Sequence, residues 1–135
     1  MSRALSVIVQ ESAPALPAII TREGRKATRR FLEFFTANIR NPNTRLSYMR
    51  AIVPFLAWCE ERGASLHQIE PIAVAAYVER LTRERAPQTV KQHLAAIRML
   101  FDWLVVGQVI PFNPVEGNDS PENGPFAPTF TPKQL

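Results

Sequence analysis

The chain of 135 residues contains 46% apolar and 21% charged residues and has a formal net charge of +4. This composition excludes an intrinsically disordered protein and predicts one globular domain whose positive charge favours a polyanionic partner. The single cysteine excludes an internal disulfide and a cysteine-based zinc cage, and no apolar stretch approaches the ~18–20 residues of a membrane span. We therefore expect a cytoplasmic protein without membrane segments or a signal peptide.

The N-terminal residues 1–27 contain Pro14 and Pro17 and show no sustained apolar period, which predicts a flexible arm. The first helix is predicted from Thr28, a favoured N-cap residue, to about Ile39. Its apolar side consists of Phe31, Leu32, Phe34, Phe35 and Ile39.

The second helix is predicted between two helix stops, Asn41-Pro42 and Gly63, with Asn43 or Thr44 as its cap. Pro54 falls inside this helix, so a bend and one missing backbone hydrogen bond are expected there. The apolar residues follow a helical spacing and comprise Tyr48, Ile52, Phe55 and Cys59.

Two more helices are predicted, from Pro71 to about Glu84 and over about 88–106. The apolar side of the third helix is predicted to comprise Ile72, Ala75, Ala76, Val78 and Leu81. That of the fourth comprises Val90, Leu94, Ile97, Phe101 and Leu104. The proline- and glycine-rich residues after Gly107 are predicted to be a linker. The expected fold class is all-α, a compact four-helix bundle with flexible N- and C-terminal arms.

The basic residues are concentrated in the first part of the chain. Only Glu23 and Glu33 oppose them there, and further acidic residues follow from Glu60 onwards. The basic set is Arg22, Arg25, Lys26, Arg29, Arg30, Arg40, Arg45 and Arg50. Phosphate binding is one use of such a polarised surface, and a solvated charged face is the other.

Polar residues on the second and fourth helices lie largely off the apolar stripes. They include Ser47, Arg50, Lys91, Gln92 and Arg98. Arginine and glutamine can form bidentate contacts with base edges, and serine can bind a phosphate or a base. Two such helices could lie together in a major groove, although polar residues near helix starts also serve as caps.

Four segments resemble motifs of the tyrosine recombinases, the phage-integrase family. Residues 43–59 resemble the T-x3-Y-x3-L-x2-F-x2-W signature of its core-binding domain, and residues 88–101 resemble its T-[IV]-x3-L-x2-[IL]-R helix. Asn113-Pro114 is similar to the Asn-Pro that follows the last helix, and residues 130–135 are similar to the sequence that introduces the catalytic domain.

This resemblance implies a SAM-like core-binding domain over residues 28–116, followed by a linker at 117–135 towards a catalytic domain that is absent from the sequence. It also implies that the domain clamps one face of a double-stranded recombination site during integration or recombination. The parent protein would act with other recombinase protomers as a tetramer, whereas the chain alone is expected to be monomeric. Carried over by position, the expected DNA-binding residues are Thr44, Arg45, Ser47, Arg50, Gln88, Thr89, Lys91, Gln92 and Arg98.

No catalytic, metal or cofactor site is predicted. Tyr48 and Tyr77 are the only tyrosines, and both fall on apolar helical sides, where core packing is expected. His67 and His93 lack the spacing of metal ligands and a paired acid. The expected role is a non-catalytic DNA-binding module. The alternatives are a helical protein-interaction module that does not bind DNA and, less favoured, an independent helix-turn-helix regulator.

Overall fold

The computed structural model describes residues 16–115, all of whose regular elements are helical. The α-helices are α1 (Ala18–Thr21), α2 (Arg25–Glu33), α3 (Pro42–Glu61), α4 (Pro71–Glu84) and α5 (Pro87–Val106). A π-helical segment, Phe34–Asn38, continues α2, and a 3₁₀ turn, Leu66–Gln68, precedes α4. The all-α class is thus confirmed, and the described residues contain one short α-helix more than the four predicted.

The predicted N-terminal arm is partly folded. Residues 1–15 lie outside the described residues, but α1 buries Ile19 and Ile20 completely. The Glu60 carboxylate accepts a hydrogen bond of 3.0 Å from the backbone N–H of Ile19, which fixes α1 to the end of α3. The arm prediction is therefore wrong for residues 18–27, since two isoleucines in a four-residue helix produce no period that a sequence pattern can reveal.

The helix predicted from Thr28 begins three residues earlier, at Arg25, after Gly24 with a φ of 113°. Such a φ lies in the region that favours glycine, so Gly24 provides the turn between α1 and α2. The aromatic rings of this helix face the core as predicted, with Phe31 and Phe35 centroids 5.2 Å apart and Phe34 and Phe35 centroids 5.1 Å apart.

Helix α3 begins at Pro42 rather than at Asn43 or Thr44. The Asn41 side chain caps it, because its Oδ1 accepts from the backbone N–H of Asn43 at 2.8 Å and of Thr44 at 3.3 Å. Proline suits the first helical position, where its missing N–H is not needed. Gly63, with a φ of 77°, follows the end of the helix as predicted. Helical structure continues through Pro54, which cannot donate to the carbonyl of Arg50.

We expect Asn41→Ala to lower the free energy of unfolding by about 0.5–2 kcal/mol, because two backbone donors of α3 lose their acceptor. Urea denaturation followed by circular dichroism measures this change. Asn43→Ala is the matched control, since Asn43 is exposed and its side chain has no hydrogen bond within residues 16–115. Equal stability of the two variants would contradict the capping role.

Helix α4 has the predicted bounds, but its predicted apolar side is only partly buried, with Leu81 buried and Val78 half-buried as expected. The buried residues are Val74, Tyr77 and Leu81, whereas Ile72 is 75% exposed and Ala75 and Ala76 are exposed. Tyr77 packs against α3, with its ring centroid 5.0 Å from Phe55 and 5.3 Å from Trp58. These large rings decide which side of α4 faces the core, because they bury far more apolar area than two alanines.

Helix α5 buries Val90, Ile97, Phe101 and Leu104 as predicted, and Leu94 only partly. The segment after Gly107 was predicted to be linker, but Val109, Ile110 and Val115 are buried. The segment up to Val115 therefore packs against the core through these residues, and the predicted linker at 117–135 lies outside the described residues. Within residues 16–115, no helix combines the length and apolarity needed to cross a membrane.

Candidate nucleic-acid interface

A groove of about 330 Å³ lies between α3 and α5. The buried residues Ala51 and Ala96 line it, and their small side chains let the two helices approach closely. Of the predicted DNA-binding residues, Ser47 and Arg50 from α3 and Gln92 from α5 also line it, and all three are exposed. The fold thus brings together polar side chains that lie about 45 residues apart in the sequence.

The other two predicted residues of α3 lie outside this groove, in the first turn of the helix. Thr44 is exposed, and its backbone N–H is occupied by the Asn41 cap. Arg45 is half-buried, and its Nη2 donates to the carbonyl of Ile39 at 2.9 Å. This contact connects α3 to the segment before it, so part of the Arg45 guanidinium serves the fold.

The first turn of α5 is open to ligands. Ala86 precedes it and supplies no side-chain cap, whereas Asn41 caps α3. Gln88 and Lys91 are exposed there and Thr89 is half-buried. Uncapped N–H groups and the positive end of the helix dipole favour an anion at this position.

Arg98 lies farther along α5, beside the chain that leaves the helix. Its side chain is half-buried, and its carbonyl accepts from Nδ2 of Asn113 at 3.1 Å. The same Nδ2 donates to Asp102 at 2.7 Å, and Asn113 Oδ1 accepts from the N–H of Val115 at 2.8 Å. The Asn113-Pro114 motif therefore fixes the exit of the chain against α5, and Arg98 does not line the groove.

The basic run divides into structural and free cations. Arg30 and Arg29 pair with Glu33 at 3.0 and 3.7 Å, and the Arg30 side chain also packs over Gly107. The carbonyl of Arg30 accepts a hydrogen bond of 2.8 Å from the indole of Trp103. Within residues 16–115, the cations of the run whose side chains have neither an ion pair nor a hydrogen bond are Arg22, Arg25, Lys26, Arg40 and Arg50.

A second concavity, of about 290 Å³, adjoins the groove and is lined by Arg50 and His93 as well. Arg85, from the connection between α4 and α5, also lines it. Neither Arg85 nor His93 was among the residues predicted to bind DNA. The one sequence signal for Arg85 was its position two residues before Pro87, the first residue of α5.

Of the remaining reactive groups, Cys59 and Tyr77 are buried in the core and Tyr48 is half-buried. Burial raises the pKa of the Cys59 thiol to about 12 and also raises the pKa of Tyr77. The Tyr48 hydroxyl lies 3.1 Å from the Met99 sulfur. Across residues 16–115, no three His, Cys, Asp or Glu side chains form a group that could hold a metal ion.

Comparison with known proteins gives one family. The model of the phage integrase N-terminal SAM-like domain matches residues 26–109, which is more than half of the chain. The match begins in α2, covers α3 to α5 and ends just after α5. No curated protein and no solved structure gives a significant match. The chain therefore belongs to the family of phage integrase N-terminal SAM-like domains.

Proposed function

We propose that this domain binds double-stranded DNA as the core-binding domain of a site-specific recombinase. In this role it clamps one face of the recombination site in the cytoplasm, and it has no catalytic activity of its own. The observation that carries the proposal is the groove between α3 and α5, where Ser47, Arg50 and Gln92 converge and their side chains have no hydrogen bond or ion pair within residues 16–115. Family membership supports it, since the family is defined by integrases.

The groove has the chemistry needed to read a duplex. A glutamine such as Gln92 can donate to and accept from adenine N7 and N6 in the major groove. An arginine such as Arg50 can neutralise a phosphate or contact guanine, and its side chain makes no ion pair within residues 16–115. We assign Gln92 to contacts with the DNA bases and Arg50 to contacts with the phosphates of the DNA backbone.

The first turn of α5 supports the same placement of the duplex over the groove. A duplex that contacts Gln92 also lies near Gln88, Thr89 and Lys91, which precede it by one turn or less. Uncapped N–H groups at this helix end can bind a phosphate together with the Lys91 ammonium. Other recombinase protomers are the proposed protein partners on DNA, in a tetramer of the parent protein.

Gln92→Ala and Arg50→Ala test the proposal by different signatures. We expect Gln92→Ala to cost about 1–3 kcal/mol on the cognate site and to relax base preference near its contact. Arg50→Ala should weaken binding to all sequences about equally and lower the salt slope by about 1, as loss of one phosphate contact requires. Fluorescence anisotropy with cognate and scrambled duplexes, at several salt concentrations, measures both.

Thr82→Ala is the control, because Thr82 is exposed on α4 and, within residues 16–115, its hydroxyl donates only to the carbonyl of Glu79 in the same helix. Binding by this variant should match the unmodified chain. Unchanged affinity of both Arg50→Ala and Gln92→Ala, in folded proteins, would refute the groove as the DNA interface. The protein-interaction module would then be the better hypothesis.

A further inference from the structure

The concavity beside the groove contains a surplus of positive charge. Arg80 forms an ion pair with Glu84 at 3.4 Å. The Glu61 carboxylate forms one at 3.9 Å with Arg62, which does not line the concavity. The two other charged side chains that line it, Arg50 and Arg85, have no ion-pair partner within residues 16–115. Glu61 and Glu84 also line the concavity, so its lining carries one positive charge in excess, and that excess favours an anionic ligand.

His93 lies at the boundary of the concavity and the groove. Its Nδ1 is buried and has no hydrogen-bond partner among the described residues. Burial, followed by repulsion from Arg85, lowers the pKa of His93 below its ordinary value. The ionisable groups that share the concavity with it are Arg50 and Glu61 of α3, Tyr77, Arg80 and Glu84 of α4, and Arg85. The unliganded domain thus has a neutral His93 at neutral pH.

We propose that Arg50, Arg85 and His93 form a binding site for one backbone phosphate of duplex DNA. This inference rests on the proposed function, and it adds Arg85 and His93 to the residues predicted to bind DNA. A DNA phosphate is favoured over a free anion because Arg50 and His93 line both concavities. A duplex in the groove would therefore carry its backbone past this site. The two arginines donate charge-assisted hydrogen bonds to the phosphate oxygens.

The site makes DNA binding dependent on pH. A phosphate beside His93 stabilises the imidazolium, so the pKa of His93 is higher in the complex than in the free domain. The resulting gain in affinity for DNA is complete when the pH is below the pKa of His93 in the free domain. This gain is lost as the pH rises through the pKa of His93 in the complex. Affinity for DNA should therefore increase on acidification through the interval between these two pKa values.

Arg85→Gln and His93→Gln test the site in the full chain, with a non-specific duplex as the probe. Arg85→Gln should weaken binding about tenfold and lower the salt slope by about 1. His93→Gln should abolish the component of the pH dependence that belongs to His93. Arg83→Gln is the matched control, because this substitution removes the same charge as Arg85→Gln. Arg83 is exposed on α4 and does not line the concavity. Its affinity and salt slope should match those of the unmodified chain.

Three results would overturn the inference in distinguishable ways. If the chain binds DNA but Arg85→Gln and Arg83→Gln behave alike, the phosphate site is wrong and the proposed function stands. If inorganic phosphate shifts the His93 ring resonances in NMR spectra and duplex DNA does not bind, the site takes a free anion. In that case, and also when neither ligand binds, the proposed function fails together with the inference.

Discussion

Raising the salt concentration from about 50 to about 200 mM should weaken binding to duplex DNA about a hundredfold. The slope of log K against log salt is about −0.9 for each phosphate contact, so about four contacts give this change. The described residues offer enough cations without an ion pair: Arg22, Arg25, Lys26, Arg40, Arg50, Arg85 and Lys91. Electrophoretic mobility shifts or anisotropy titrations at the two concentrations measure the effect.

The control for this prediction is the stability of the domain itself. Its structural ion pairs, such as Arg30–Glu33, are short-range and partly exposed, so salt should change the free energy of unfolding by less than about 1 kcal/mol. Affinity that is equal at both salt concentrations, in a protein that stays folded, would contradict phosphate contacts. A module that contacts only proteins would behave in that way.

Phe55→Ala should lower the free energy of unfolding by about 3–5 kcal/mol, the largest effect on stability that we expect from one substitution. Phe55 is fully buried on α3 and connects three helices. Its ring centroid lies 5.0 Å from Tyr77 on α4, 6.2 Å from Phe101 on α5 and 6.4 Å from Trp58. Removing the ring leaves a cavity that these large neighbours cannot close. Urea denaturation followed by circular dichroism measures the loss.

Leu46→Ala provides the comparison on the same helix, since Leu46 is 42% exposed and truncation there leaves no enclosed cavity. Its cost should stay below about 1 kcal/mol. DNA binding by Phe55→Ala should fall only to the extent that the protein unfolds, because Phe55 does not line the groove. A loss below about 1 kcal/mol for Phe55→Ala would mean that its ring does not connect the three helices.

Much of the helical pattern is local and could be predicted. Helix α4 was predicted with the observed bounds, and α5 within one residue, because Pro71 begins α4, Ala86-Pro87 separates the two helices and Gly107 ends α5. The buried face of α4 was predicted only in part, because Tyr77 and Leu81 are buried as expected whereas Ile72, Ala75 and Ala76 are exposed. Val74, Tyr77 and Leu81 form one apolar stripe and Ile72, Ala75 and Ala76 another, and only contact with Phe55 and Trp58 selects the first.

The candidate interface was predictable to a similar extent. Ser47, Arg50 and Gln92 could be selected because they lie off the apolar stripes of two well-defined helices. Arg85 and His93 could not, since their significance depends on a concavity that they share with Arg50, 35 or more residues away in the sequence. Arg30 and Arg45 resemble the other basic residues in the sequence, yet the fold engages both in contacts with backbone carbonyls.

The sequence by itself determined the helical class, the positions of α3, α4 and α5 and the family, because periodicity, caps and motifs act over one or two helical turns. Only the tertiary structure decided that Ile19 and Ile20 belong to the core, which face of α4 is buried and which cations have no partner. Each of these depends on residues tens of positions away. Burial and ion pairing are set by distances in space, which a local pattern does not contain.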